Sequence, residues 1–160
     1  MKQKTLAYLL MAAVAGVAVC AAAVYAFIVP EMGSSLAELG GAETEGYLPV
    51  WLWFVELTVL PVAAALAVSF VIALNIRNGR SFCTENARLL SLIAVLAVAD
   101  GFYYFAGNVV LFFLGMNHPG ILLVNLMICF AAFAVSVAAA ALSHYARKAA
   151  KLQEENDLTI

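Results

Sequence analysis

Three observations predict an all-α integral membrane protein, a bundle of four helices with both termini in the cytoplasm. The 160-residue chain is 66% hydrophobic and only 11% charged, too apolar for a soluble domain of this size, which needs polar surface over its core. Its apolar residues gather into four long runs. If each run crosses the membrane once, all eight Lys and Arg residues fall on one side.

The spans are expected over about 5–29, 49–75, 87–114 and 120–146, which makes residues 1–160 a single four-span membrane domain. Each exceeds the roughly 20 residues that a helix needs to cross about 30 Å of hydrocarbon. Residues 5–29 and 119–146 carry no Asp, Glu, Lys or Arg, residues 47–75 only Glu56, and residues 89–116 only Asp100. The start has the basic flank and small residues of a signal peptide, but its apolar run is longer than a usual h-region, so an uncleaved first span is expected.

Orientation follows from the basic residues. Lys2 and Lys4 precede the first span, Arg77, Arg80 and Arg88 lie between the second and third, and Arg147, Lys148 and Lys151 follow the fourth. The 30–48 loop carries Glu31, Glu38, Glu43 and Glu45 and no Lys or Arg. The positive-inside rule then puts both termini and the 76–88 loop in the cytoplasm. So one-sided a distribution argues against the small four-span exporters that insert in both orientations. Anchoring to anionic headgroups explains these bases. Scattered, and set against a net charge of −2, they make a poor nucleic-acid patch, so no direct nucleic-acid contact is expected.

The connections have turn chemistry of their own. Asn78-Gly79 supplies a left-handed helix stop, and Ser81 or Thr84 is placed to cap the third span. Glu85 would sit near the positive end of that helix. Ser35 and Glu38 have capping-box spacing, which suggests a short separate helix on the outer surface. Tyr47, Trp51 and Trp53 read as an aromatic belt at the outer interface.

Helices in lipid associate through small residues and interhelical hydrogen bonds. Such faces are Ala12, Gly16 and Cys20 in the first span, and Leu60, Ala63 and Ala67 in the second. Asn125, Cys129, Ala132, Ser136, Ala139 and Ser143 make another in the fourth. Pro61 leaves the Leu57 carbonyl without its usual donor and is expected to bend the second span. In the third span Asp100, Tyr104 and Asn108 recur every four residues and share one face. Glu56, Asn108 and Asn125 lie at similar depths, so one polar cluster is expected in the outer half, with Tyr104 bridging toward Asp100.

No Lys or Arg lies within the apolar runs 5–29, 47–75, 89–116 and 119–146 to neutralise Asp100 and Glu56. One reading makes them neutral acids that tie helices together. The other makes them a proton- or cation-binding pocket, the usual suspicion for acids inside a membrane. The structural reading is preferred, because a transporter usually displays binding apparatus on more helices.

Enzyme chemistry is not apparent: HExxH, GxSxG and a phosphate-binding Gly loop are all missing. His118 and His144 read as interfacial residues. Cys20, Cys83 and Cys129 have no CxxC spacing and read as small packing residues. Neither a metal nor a cofactor is expected, and the protein reads as a non-enzyme.

Two stretches carry a family resemblance. "NGRSFCTENARLL" follows the second span, and the chain ends in "EENDLTI". With four spans, they make the chain resemble the bacterial DUF2975 family, small four-span proteins with a G-x-x-F-[ST]-x-E-N-type inner loop and an E-N-D-L-T-[IV] terminus. The matching positions are Gly79, Phe82, Thr84, Glu85 and Asn86, then Glu155, Asn156, Asp157, Leu158, Thr159 and Ile160. Cys83 shifts the hydroxyl residue by one place from the pattern. The resemblance implies a multi-pass protein of the bacterial plasma membrane and brings no established activity with it. Genes of this kind often accompany one for a small helix-turn-helix regulator, which the inner loop and tail would face. The expected function is therefore regulation or signalling through the cytoplasmic loop and tail; the alternative is a small proton-coupled transporter or cation-binding protein.

Overall fold

The computed structural model describes residues 3–40, 46–117 and 119–157. Lys2, Glu43, Glu45, His118 and residues 158–160, all invoked above, lie outside the described residues. Every regular element among the described residues is helical: α1 (Gln3–Ala23), a π-helical turn (Val24–Ile28), α2 (Val29–Gly40), α3 (Leu48–Glu56), α4 (Val59–Arg77), α5 (Thr84–Phe113) and α6 (Pro119–Asp157). Four helical stretches are long and apolar enough to cross a membrane: Gln3–Ser35, Leu48–Arg77, Thr84–Phe113 and Pro119–Asn156. The protein is an all-α membrane protein.

The first stretch runs from α1 through the π-helical turn into α2. Pro30 explains the turn. A proline inside a helix has no N–H to give and its ring collides with the carbonyl four residues back. Widening the preceding turn, with Val29 N–H bonded to the Val24 carbonyl, lets the helix continue past it. Ser35 therefore sits inside a helix rather than opening one, and the separate outer helix is not formed. The neighbouring Ser34 hydroxyl turns back onto the Pro30 carbonyl at 2.7 Å.

Pro61 acts more severely. It divides the second span into α3 and α4, with Leu57 and Thr58 in a tightened turn between them. There Thr58 N–H bonds the Val55 carbonyl at 3.1 Å and Leu60 N–H bonds the Leu57 carbonyl at 3.3 Å. Both are three-residue closures in place of the regular four.

Two glycines end helices in the left-handed conformation that favours this residue. Gly79 has φ +83° and Gly115 has φ +75°. At each, the next residue closes back five positions, Arg80 N–H to the Asn75 carbonyl at 2.9 Å and Met116 N–H to the Leu111 carbonyl at 2.9 Å. The expected stop at Asn78-Gly79 is thus a full Schellman motif. At the start of α5 the cap is neither Ser81 nor Thr84. Cys83 holds the extended capping position, and its Sγ accepts from Asn86 N–H at 3.4 Å.

The helices pack in sequence order, α1 on α4, α4 on α5, and α5 on α6. The α5–α6 seam is a ladder. Cys129 Sγ donates to the Gly101 carbonyl at 3.6 Å, Ser136 Oγ to Ala94 at 2.9 Å, and Ser143 Oγ to Ala87 at 2.6 Å. Donors and acceptors both recur every seven residues, in opposite senses, the register of two antiparallel helices wound with a 3.5-residue period. The small side chains let the backbones meet: a Cβ on Gly101 would stand 3.2 Å from that of Ala132. The small and polar stripe of the fourth span is inside.

The other two small-residue stripes are not. Ala12, Gly16 and Cys20 are exposed to the bilayer, as are Leu60, Ala63 and Ala67. In α1 the covered positions are Ala7, Leu10, Met11, Val14, Ala18 and Ala21, followed by Tyr25 in the π turn, a face with helical spacing of three and four. Small size permits close approach but does not compel it, and here the polar groups choose the face.

Each rung of the ladder is expected to contribute modestly. Ser136→Ala should destabilise the folded protein in lipid nanodiscs by about 0.6 kcal/mol and by less than about 1.7. Ser143→Ala, about 10 Å along the helix, should add to it independently. Steric-trapping measurements on the single and double variants would check both values.

Candidate functional site

Two regions collect the residues that the sequence singles out. One lies where the second span is broken. In a regular helix the Phe54 carbonyl would accept from Thr58 N–H. That donor has moved to Val55, and Tyr103 Oη of α5 donates to Phe54 instead, at 3.2 Å. Thr58 Oγ1 donates to the Val55 carbonyl at 2.7 Å. Because the hydroxyl has one proton, Tyr25 Oη must donate to Thr58 Oγ1 in their 2.6 Å contact. The break in the second span is thus closed by tyrosines from the first and third.

Aromatic packing fixes the same level. The Phe54 ring lies 5.1 Å from that of Tyr103 and stacks on Tyr104 at 5.9 Å, 6° from parallel. It sits where a Cβ on Gly107 would be, so only glycine leaves room for it. Val29, Trp51, Val55 and Leu111 form the buried core beside it. Trp51 therefore points inward, while Trp53, about 200° around the helix, is 78% exposed. Of the expected aromatic belt, Tyr47 and Trp53 face outward and Trp51 does not.

Asp100 lies near the midpoint of α5. It lines a groove of about 330 Å³ between the second and third spans, with Leu57, Leu60, Pro61, Ala99 and Tyr103. Its Oδ1 is buried and has no hydrogen-bond partner among the described residues.

The expected polar cluster is only partly assembled. Asn108 is 1% exposed; its Nδ2 donates to the Tyr104 carbonyl at 2.8 Å, and its Oδ1 accepts from Asn117 Nδ2 at 2.8 Å. Asn117, in the turn after α5, is a partner that sequence reasoning missed. The polar signal was there, but a turn asparagine resembles any loop residue. Asn125 is buried, with its Nδ2 unpaired among the described residues. Glu56 is half-buried at the end of α3, and no hydrogen bond joins it to Asn108 or Asn125 among the described residues. Equal depth is not adjacency: Glu56 and Trp51 lie on different faces of α3.

The second region is the loop between α4 and α5, and Asn86 is its hub. Asn86 Oδ1 accepts from Asn75 Nδ2 at 2.8 Å. Its Nδ2 donates to the Arg80 and Ser81 carbonyls at 2.9 and 3.1 Å. Asn86 is only 2% exposed, and these bonds shape the loop around it. Glu85 pairs with Arg80 at 2.8 Å, and Gln3 Nε2 donates to Ser81 Oγ, which brings the start of α1 to the same end. Thr84 and Glu85 are exposed, and Phe82 is 60% exposed on this otherwise internally bonded turn. Glu155 and Asn156 are exposed near the end of α6, and Asp157 is its last residue.

A family model described as a protein of unknown function, DUF2975, matches residues 34–160. The chain is also similar to an uncharacterized membrane protein, YoaS, of Bacillus subtilis strain 168. The two are 29% identical over 137 residues, 84% of each chain. No solved structure matches. The matched region takes in both the groove and the loop.

Asn86→Asp would replace two donated hydrogen bonds with acceptor–acceptor contacts at the Arg80 and Ser81 carbonyls. It is expected to cost about 1–3 kcal/mol and to expose Cys83, whose modification rate by a maleimide should rise. An unchanged rate and stability would show that the loop holds its shape without Asn86.

Proposed function

This chain belongs to the DUF2975 family of proteins of unknown function, and we propose that it is a non-enzymatic regulator of the bacterial plasma membrane. Its cytoplasmic loop and tail carry the signal to a soluble partner. The observation that carries this reading is the length of α6, which runs for 39 residues to Asp157 without interruption. Such a helix is about 58 Å long, against some 30 Å of hydrocarbon. Its last turns, from Arg147 on, therefore stand in water as a rigid arm. The arm bears Lys151 and Glu155 as a 3.9 Å pair and an exposed Leu152. Phe82 is exposed at the same end of the molecule. A small helix-turn-helix regulator is the proposed partner, with Phe82, Thr84, Glu85, Glu155, Asn156 and Asp157 as contacts.

The cytoplasmic placement of this face, and of both termini, is supported by Lys4, Arg77, Arg80, Arg88, Arg147, Lys148 and Lys151 gathering at one end. Gln3 bonded to Ser81, Asn75 to Asn86 and Ser143 to Ala87 hold that end together. Deleting residues 153–160 should leave the protein in the membrane fraction and abolish the transcriptional response that depends on it. Protease should reach the tail in inverted vesicles and not in intact spheroplasts. An unaltered response to the deletion would end this reading.

A second reading, a small proton-coupled transporter or cation-binding protein, is favoured by the broken second span beside Asp100. Interrupted membrane helices with an acid at the midplane are where ions and protons are bound. In this reading Asp100 exchanges a proton, Glu56 assists, and Tyr104, Asn108 and Asn125 shape the surroundings. It predicts that the infrared carboxyl band removed by Asp100→Asn responds reversibly to bulk pH. A band indifferent to pH would leave Asp100 a sealed structural acid.

A further inference from the structure

We propose that the groove beside Pro61 binds a lipophilic amine, held as the ammonium form by the Asp100 carboxylate. The inference rests on the second reading above, that Asp100 is an exchangeable acid, and adds the ligand.

The groove has one polar feature. Leu57, Leu60, Pro61 and Ala99 supply apolar walls, Tyr103 an aromatic one, and Asp100 the single charge-bearing group. The buried Oδ1 of Asp100 lacks a donor among the described residues, and a buried acceptor without a donor is costly. Among the described residues no Lys or Arg lines the groove, and all eight lie outside the four apolar runs. A donor from outside the protein would complete it, and an amine brings both an N–H and, once protonated, the opposite charge.

The rest of the lining narrows its chemistry. A hard metal ion wants six or more oxygen ligands, and the groove offers one carboxylate. A volume of about 330 Å³ is at the small end of organic ligand sites. Tyr103 has spent its hydroxyl on the Phe54 carbonyl, which fixes its ring as a wall, and an aromatic face attracts an ammonium. Leu57 and Leu60 on the rim are 50% and 64% exposed, so the groove opens sideways to the hydrocarbon. The neutral base can arrive dissolved in lipid. On binding, the carboxyl O–H bond of Asp100 breaks, an N–H bond forms on the amine, and the resulting ion pair leaves the groove with no net charge. The pair is a charge-assisted hydrogen bond in a site where water does not compete.

The test uses the full-length protein in lipid nanodiscs, with 4-fluorobenzylamine as probe and 4-fluorobenzyl alcohol as its uncharged counterpart. Fluorine NMR reports binding beyond that to empty nanodiscs. The amine should bind the wild type at least about tenfold more tightly than it binds Asp100→Asn, and the alcohol should show no such preference. Leu60→Trp, which fills the groove from its lipid side and leaves the carboxylate in place, should also abolish amine binding. Infrared spectra should lose the Asp100 carboxyl band when the amine is added. Equal binding to wild type and Asp100→Asn, or alcohol binding as strong as amine binding, would overturn the proposal. A carboxyl band that responds to pH but not to the amine would overturn it while leaving the exchangeable acid intact. A band that responds to neither would remove both.

Discussion

Between the third and fourth spans, side chains of one helix donate to main-chain oxygens of the other at Gly101, Ala94 and Ala87, and the rest of the architecture depends on that seam. Hydrocarbon offers a polar group no partner, so each one in a span must find its partner in the protein. The seam sets the rotation of both helices about their axes. Once α5 is oriented, Asp100, Tyr103 and Tyr104 are aimed at the second span, and Asn86 is aimed at Asn75. The same rule explains how the second span can be broken at all. Leu60 N–H takes the Leu57 carbonyl that Pro61 cannot serve. Tyr103 and Thr58 take the Phe54 and Val55 carbonyls at the break, and Tyr25 secures Thr58 from the first span.

The contents of the spans were legible in the sequence because water-to-lipid transfer is read directly from composition. The inner faces were legible only where polar atoms mark them. The stripe from Asn125 to Ser143 was read correctly, since its thiol and hydroxyls find partners on the neighbouring helix. The stripes through Gly16 and through Ala63 were misread, because an apolar face is equally content against lipid or protein. Position along a helix gave the depth of Glu56 and Asn108 but not their azimuth, and hydrogen bonding between them does not follow. Pro61 announced the break, whereas the π turn before Pro30 has no signature of its own apart from the proline that requires it.

The two regions differ in how completely their bonding is closed. The α4–α5 loop ties Asn75, Arg80, Ser81 and Asn86 together internally, and leaves the Phe82 ring, Thr84 and the Arg80–Glu85 pair outside. The membrane groove does the reverse, leaving an acid in an apolar wall. The loop therefore has the character of a rigid surface, whereas the groove keeps an acid oxygen without a donor among the described residues. The family match and the similarity to YoaS extend across both regions and assign a task to neither.

The uninterrupted fourth helix also has a mechanical consequence. A rod of about 58 Å pivoting at its Pro119 end magnifies angle into displacement. A tilt of about 5° would sweep its C-terminal tip through about 5 Å, roughly one helical turn. Because the ladder clamps that rod to the third span over two heptads, the two would swing as a single beam. Any adjustment of the third span against the broken second would then be delivered far away, at the charged tip, as a change of position with no change of fold.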